Sequence, residues 1–253
     1  RRFASEGKPG VVSREASSYS TWWNGGLRTA GYFHNMIGIL TETIGSPTPT
    51  TIPLVLARQL PSASGQFPIA PQVWRFRQSI DYSMTANRAI LDYASRYREE
   101  LLFDFWQMGR NSIARGQTDT WTTTPVSIDA ARAAGTSTQA QAAALRNPAR
   151  RDPRAYVLPA NQAEIGNALD FLEALSTSGI EVQKATADFS IGSTRYPKGS
   201  FVVRADQAFR PHVLDMFEPQ WHPTDLQYPG GPPKRPYDNA GYTLAYQMGV
   251  SFD

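Results

Sequence analysis

A short apolar run that carries one acidic residue near its end constrains this chain more than any other stretch. The run extends from Met36 to Thr43, and its acidic residue is Glu42. Its length and its aliphatic residues predict a buried strand. A carboxylate is costly to remove from water, so a buried Glu42 needs either a hydrogen-bonding partner or a chemical role.

The loop that precedes this run is rich in glycine and aromatic residues. The loop reads Tyr-Ser-Thr-Trp-Trp-Asn-Gly-Gly-Leu-Arg from Tyr19 to Arg28. The apolar run and the residues that follow it read Gly-Ile-Leu-Thr-Glu-Thr-Ile-Gly from Gly38 to Gly45. Together these segments resemble the end of the catalytic domain of zinc carboxypeptidases of the carboxypeptidase A type. The resemblance implies an α/β domain with a mixed sheet, zinc as the cofactor, and Glu42 as the general base. It also implies that Tyr19 is the mobile tyrosine that caps the substrate.

Arg28 is a further candidate for substrate binding, on chemical grounds rather than from the resemblance. A guanidinium can hold the C-terminal carboxylate of a peptide through two parallel hydrogen bonds. The arginine that does this in the family lies further upstream, so a structural ion pair is the competing interpretation of Arg28. Glu42 also has a simpler interpretation, as a glutamate at the solvent-exposed edge of a sheet. Its carboxylate would then be paired with Arg28 or with a backbone amide.

The zinc ligands of the family have no counterpart in this sequence. The family binds zinc through a His-x-x-Glu pair and a later histidine, all before the catalytic glutamate. The chain has three histidines, His34, His212 and His222, and His34 does not begin a His-x-x-Glu. The other two precede Asp215 and Asp225 at ligand-like spacing, but in the wrong order for the family, and a zinc site needs three or four ligands. We therefore expect no metal ligand in this chain and place the ligands on an upstream segment or a companion chain.

Composition excludes several classes of function. The 253 residues are 41% hydrophobic and 19% charged, and no apolar run is long enough to span a membrane. The absence of cysteine excludes disulfides, thiol nucleophiles and cysteine metal sites. A net charge of +3 is too small to predict nucleic-acid binding. The resemblance favours a secreted or periplasmic peptidase that acts on a peptide or protein.

The chain is predicted to have three parts. Residues 1–117 form the C-terminal part of the carboxypeptidase-like catalytic domain, 118–153 a linker arm, and 154–253 a small α/β accessory domain with an irregular tail. In the first part, apolar residues at three- and four-residue steps predict one long helix from Arg77 to Arg115 that stops at Gly116. The arm contains polar, alanine-rich and proline-containing stretches, with one short helix expected from Thr138 to Leu145.

The accessory part alternates strand and helix patterns. The predicted elements are a strand at 156–159, a helix at 162–176, a strand at 179–182, a strand at 200–203 and a helix at 207–216. Strand-helix-strand units with short connections predict a small α/β domain with a partly parallel sheet.

These observations lead to one preferred function and two rivals. The preferred function is a zinc-dependent carboxypeptidase that hydrolyses C-terminal peptide bonds, with Glu42 as base and then proton donor. The first rival is a non-catalytic, peptidase-like binding or scaffold subunit of a larger assembly. The second is a subunit released by cleavage of a longer precursor, which keeps catalysis but carries its ligands on a separate chain.

Overall fold

The computed structural model describes residues 1–14, 19–238 and 243–253, which form two compact units. The first unit comprises Arg1–Trp23, Ile39–Phe103 and Thr224–Asp238, and the second comprises Asn24–Gly38, Asp104–Pro223 and Asn239–Asp253. The division predicted from the sequence, with an arm at 118–153, stays a prediction.

Helices and short antiparallel sheets both contribute to the fold, so the predicted mixed α/β class is confirmed. The helices are α1 (Arg2–Ser5), α2 (Leu27–Phe33), α3 (Phe76–Arg96), α4 (Arg98–Gly116), α5 (Pro125–Ala133), α6 (Thr138–Leu145), α7 (Ile165–Thr177), α8 (Arg210–Phe217) and α9 (Leu244–Gln247). The strands are β1 (Thr50–Ile52), β2 (Gln72–Trp74), β3 (Ala155–Leu158), β4 (Gln183–Lys184), β5 (Phe189–Ile191), β6 (Thr194–Tyr196) and β7 (Phe201–Arg204). Single 3₁₀ turns lie at Leu56–Arg58 and Pro148–Arg150.

The first unit is organised around the start of α3. Strand β1 pairs with β2 in antiparallel register, and β2 ends at the buried Trp74. The indole Nε1 of Trp74 donates to Ser79 Oγ at 2.8 Å, and this hydroxyl donates to the carbonyl oxygen of Ile44 at 2.6 Å. Because Ser79 is itself buried, this relay fixes the chain immediately after Glu42 to the first turns of α3.

The second unit contains the larger core. Strands β3, β7 and β4 form an antiparallel sheet in that order, and α7 and α8 bury their apolar faces with it. The Tyr156 and Phe217 rings stack at 4.2 Å with an interplanar angle of 4°, and Phe171 meets Phe217 edge-on. The Arg210–Asp152 ion pair, at 3.0 Å, is buried in the same unit.

The structure corrects the predicted strand at Met36 to Thr43. This stretch belongs to none of the sheets in the described ranges, and Glu42 is exposed instead of buried. The exposed fractions of its large apolar side chains are 54% for Met36, 66% for Ile37, 56% for Ile39 and 42% for Leu40. A strand needs a neighbour for its backbone hydrogen bonds, and hydrophobic pattern alone does not reveal whether that neighbour exists.

The other corrections concern boundaries and strand direction. The long helix is interrupted at Tyr97, and its predicted stop at Gly116 is confirmed. The short helix from Thr138 to Leu145 is also confirmed, but the predicted arm contains α5 as well. The strand expected at 179–182 lies later, at β4. The partly parallel sheet is wrong, because β7 pairs in antiparallel fashion with both of its neighbours.

Candidate functional site

Two of the three predicted site residues meet in the first unit. The hydroxyl of Tyr19 donates a hydrogen bond to Glu42 Oε2 at 2.7 Å. The sequence places them in separate segments, a glycine-rich aromatic loop and the apolar run, and the fold brings their functional groups into direct contact. A phenol on a carboxylate is a charge-assisted hydrogen bond, which is shorter and stronger than a neutral one.

Tyr19 is held in place by the backbone that follows it. Tyr19 and Arg235 form an isolated parallel bridge, and the amide of Ser20 donates to the carbonyl oxygen of Arg235 at 2.7 Å. Ser20 is buried, and its hydroxyl donates to Asp225, which together with Lys234 keeps the pKa of that carboxyl below its ordinary value. The backbone that carries the Tyr19 ring is therefore held by hydrogen bonds to the segment around Arg235.

Glu42 is held from the other side by the relay at the start of α3. The neighbouring Thr43 donates from Oγ1 to Ser79 Oγ at 3.3 Å, and Ile44 accepts from the same hydroxyl through its carbonyl oxygen. The carboxylate therefore extends from a chain that is anchored one and two residues later. An anchored backbone limits the positions that the carboxylate can take while its oxygens stay open to solvent.

A cavity of about 340 Å³ lies beside Glu42 in this unit. Its wall combines the chain from Leu40 to Ile44 with the N-terminal segment from Pro9 to Val12 and with α3. Helix α3 contributes Tyr82, Ser83 and Ala86, and the remaining lining residues are Phe3, Ile52, Ile69 and Trp74. The lining is mostly apolar, with Glu42 as its charged member, and its volume falls in the range of small-molecule and side-chain pockets.

The N-terminal wall of the cavity is fastened to α3 by polar contacts. Lys8 Nζ donates to Glu6 Oε2 at 2.9 Å and to the carbonyl oxygen of Asp81 at 3.0 Å, and it also contacts Thr85. The Thr85 hydroxyl, helped by Lys8, lowers the pKa of Glu6 to about 2. Tyr82 Oη donates to the carbonyl oxygen of Pro9 at 2.7 Å. Because this pKa keeps Glu6 ionised at neutral pH, its ion pair with Lys8 persists there.

Tyr237 is the residue at this site that sequence reasoning missed. Its hydroxyl donates to Glu42 Oε1 at 3.4 Å, and its ring contacts those of Tyr19 and Trp23. It is separated from Glu42 by 195 positions along the chain. No local pattern in a single sequence connects residues at that distance, so nothing in the tail distinguishes Tyr237 from its other tyrosines.

Arg28 lies in the second unit, in the first turn of α2. Its carbonyl oxygen approaches Gly38 so closely that a Cβ on Gly38 would collide with it. This contact explains a glycine at position 38 inside an otherwise aliphatic run. The proposed role of the Arg28 guanidinium in holding a substrate carboxylate stays a prediction.

His34 and His212 lie together in the second unit, with ring centroids 4.5 Å apart. His34 Nε2 contacts the carbonyl oxygen of Ser178 at 2.9 Å, and Nδ1 contacts that of Ala30 at 2.6 Å. His212 Nε2 contacts the Ser178 hydroxyl at 2.8 Å. Burial, together with the nearby charge of His34, lowers the pKa of His212 to about 4.

This arrangement does not fit a zinc site. Both His34 nitrogens are engaged with backbone carbonyls, and His222 Nδ1 lies 2.8 Å from the carbonyl oxygen of Pro223. Within residues 1–14, 19–238 and 243–253, no three metal-ligating side chains converge. Asp215, which follows His212 at ligand-like spacing, is half-buried, and its partial removal from water raises its pKa to about 7.

Comparison with known proteins returns no family model, no curated protein and no solved structure that matches this chain. Among the helices of the described residues, none combines the length and the apolar character needed to cross a membrane.

Proposed function

We propose that this chain supplies the general-base carboxylate and a substrate-binding tyrosine of a zinc-dependent carboxypeptidase. One observation carries the proposal: Glu42 and Tyr19, each assigned to the site from a different segment of the sequence, form a 2.7 Å hydrogen bond beside a cavity. This contact supports the proposal because it joins the two residues to which the resemblance assigns proton transfer and substrate binding.

Glu42 suits proton transfer because it is anchored through its backbone and open at its oxygens. In peptide hydrolysis, a carboxylate accepts one proton from the attacking water as the water oxygen bonds to the carbonyl carbon. The same proton then passes to the leaving amine as the carbon–nitrogen bond breaks, so Glu42 ends the cycle ionised. Tyr19 donates a hydrogen bond, and it exchanges Glu42 for a substrate oxygen when the substrate enters.

The cavity is suited to bind the substrate side chain that lies next to the scissile peptide bond. Its apolar wall buries hydrocarbon, and each buried methylene stabilises binding by about 0.8 kcal/mol. The zinc that the resemblance implies does not fit the described residues, so its ligands are assigned to a segment or companion chain outside this sequence. No step above depends on the metal.

The test is a kinetic comparison in the complete assembly that contains this chain. We expect Glu42→Gln to lower kcat for a peptide with an apolar C-terminal residue by ~10²–10⁴-fold, because it removes the base while keeping the shape. Zinc content and far-UV circular dichroism should not change. Tyr19→Phe should raise KM modestly.

Glu99→Gln serves as the matched control, because Glu99 is an exposed glutamate on α4. It should leave the kinetics unchanged. Retention of wild-type kcat by Glu42→Gln would contradict the assignment of Glu42 as the base.

A second candidate is a peptide-binding subunit without catalysis. The observation that favours it is that both Glu42 oxygens accept hydrogen bonds from tyrosine hydroxyls, an arrangement that can recognise a donor group on a peptide. The two candidates differ in one result: the binding subunit retains an intact peptide, whereas the enzyme shortens it.

A further inference from the structure

Tyr237, which lies far from Glu42 in the sequence, supplies a second hydrogen-bond donor to the Glu42 carboxylate. Tyr19 donates to Oε2 at 2.7 Å, and Tyr237 donates to Oε1 at 3.4 Å. The short Tyr19 hydrogen bond orients the carboxylate about its Cγ–Cδ bond, and the longer Tyr237 contact restricts the same rotation from the other oxygen. An ionised carboxylate offers about four lone-pair positions, so two remain for water or substrate.

The Tyr237 ring is positioned by aromatic contacts. It stacks on Trp23 with centroids 5.6 Å apart and an interplanar angle of 27°, and it meets Tyr19 at 5.7 Å. These ring contacts restrict Tyr237 in addition to its hydroxyl hydrogen bond, although 37% of the residue stays exposed. The two donors to Glu42 therefore belong to one aromatic cluster and are positioned together.

The backbone around Tyr237 is folded on itself and attached to the Tyr19 segment. Leu226 and Pro233 form an antiparallel bridge, and the amide of Lys234 donates to the carbonyl oxygen of Asp225 at 2.9 Å. The side chains of Lys234 and Asp225 also form an ion pair at 3.5 Å. The next residue, Arg235, accepts from the Ser20 amide, so this closed turn ends two positions before Tyr237.

From these contacts we propose that Tyr237 is a positioning residue for Glu42, and that the turn at residues 225–235 exists to deliver it. Tyr237 acts through the carboxylate and does not touch the substrate. The role of Glu42 in hydrolysis rests on the proposed function above, but the coupling between Tyr237 and Glu42 does not.

The test is a double-mutant cycle on folding, which requires no activity. The four proteins are wild type, Tyr237→Phe, Glu42→Gln and the double variant, each unfolded in urea. We expect the two substitutions to be non-additive by about three-fold in the folding equilibrium constant, as is typical for residues in one hydrogen-bond network. The shorter Tyr19 contact should give a larger coupling with Glu42.

Tyr228→Phe is the matched control, since Tyr228 lies in the same turn and its side chain is 62% exposed. The effects of Tyr228→Phe and Glu42→Gln on the free energy of unfolding should be additive. In the complete assembly, Tyr237→Phe should lower kcat several-fold at unchanged KM.

The outcomes separate the two proposals. Coupling without any hydrolysis by the wild type would overturn the enzyme and keep the positioning role. Additivity of Tyr237→Phe and Glu42→Gln, with hydrolysis that still needs Glu42, would overturn the positioning role and keep the enzyme.

Discussion

Asp215 makes the stability of this protein depend on pH in an unusual direction. Burial on α8 raises its pKa from 3.8 to about 7, although a hydrogen bond from Asn24 partly opposes this. Gln220 Nε2 also donates to Oδ1 at 2.6 Å. Between these two pKa values the folded protein holds a proton that the unfolded chain has lost, so stability falls as pH rises through this window.

The magnitude follows from the size of the shift. A difference of about three pKa units at ~1.4 kcal/mol each corresponds to about 4 kcal/mol, of which roughly 2.5 kcal/mol falls between pH 5 and pH 8. Asp215→Asn keeps the shape and removes the titration. We therefore expect the difference in the free energy of unfolding between Asp215→Asn and wild type to shift by about 2.5 kcal/mol in favour of the variant when the pH is raised from 5 to 8.

Urea unfolding of both proteins at these two pH values, followed by circular dichroism, measures the effect. Asp170→Asn is the control, because Asp170 is an exposed aspartate on the neighbouring helix α7. If the difference between wild type and Asp215→Asn were the same at pH 5 and pH 8, the burial argument would be refuted.

Two further predictions concern the second unit. His212→Gln should reduce the loss of stability in acid. The half-buried His212, whose pKa is lowered to about 4, stays neutral in the folded protein while the unfolded chain takes up a proton, so stability falls as pH falls from about 6.5 towards 4. Parallel wild-type and variant curves between pH 4 and pH 7 would contradict this. Phe217→Ala should lower the free energy of unfolding by about 3–5 kcal/mol, since the ring is fully buried between Tyr156 and Phe171. Phe67→Ala is its exposed counterpart, and an equal loss in both variants would rule out the core assignment.

The sequence was informative wherever local chemistry decides the structure. The helix at Thr138–Leu145 and the stop at Gly116 were predicted correctly because capping and helix propensity act within a few residues. The fold places Tyr19 and Glu42 in contact, and the substrate-binding and catalytic roles that the resemblance assigns to them stay predictions. The two helix predictions required no knowledge of distant partners.

Predictions that depended on distant partners failed. The apolar run at Met36–Thr43 has the composition of a strand, but pairing depends on a neighbouring strand. The sheet order β3-β7-β4 arises from contacts between residues far apart in sequence, so the partly parallel arrangement suggested by alternating elements was wrong. Tyr237 was missed for the same reason, because its role depends on a turn that folds back to Ser20.

The role of Glu42 as the general base is tested by incubating the complete assembly with a defined peptide in ¹⁸O-labelled water and following the products by mass spectrometry. We expect release of the C-terminal residue and one ¹⁸O atom in the new carboxylate of the shortened peptide, and we expect both to be lost in Glu42→Gln. An intact peptide that remains bound, or shortening that persists in Glu42→Gln, would contradict this role.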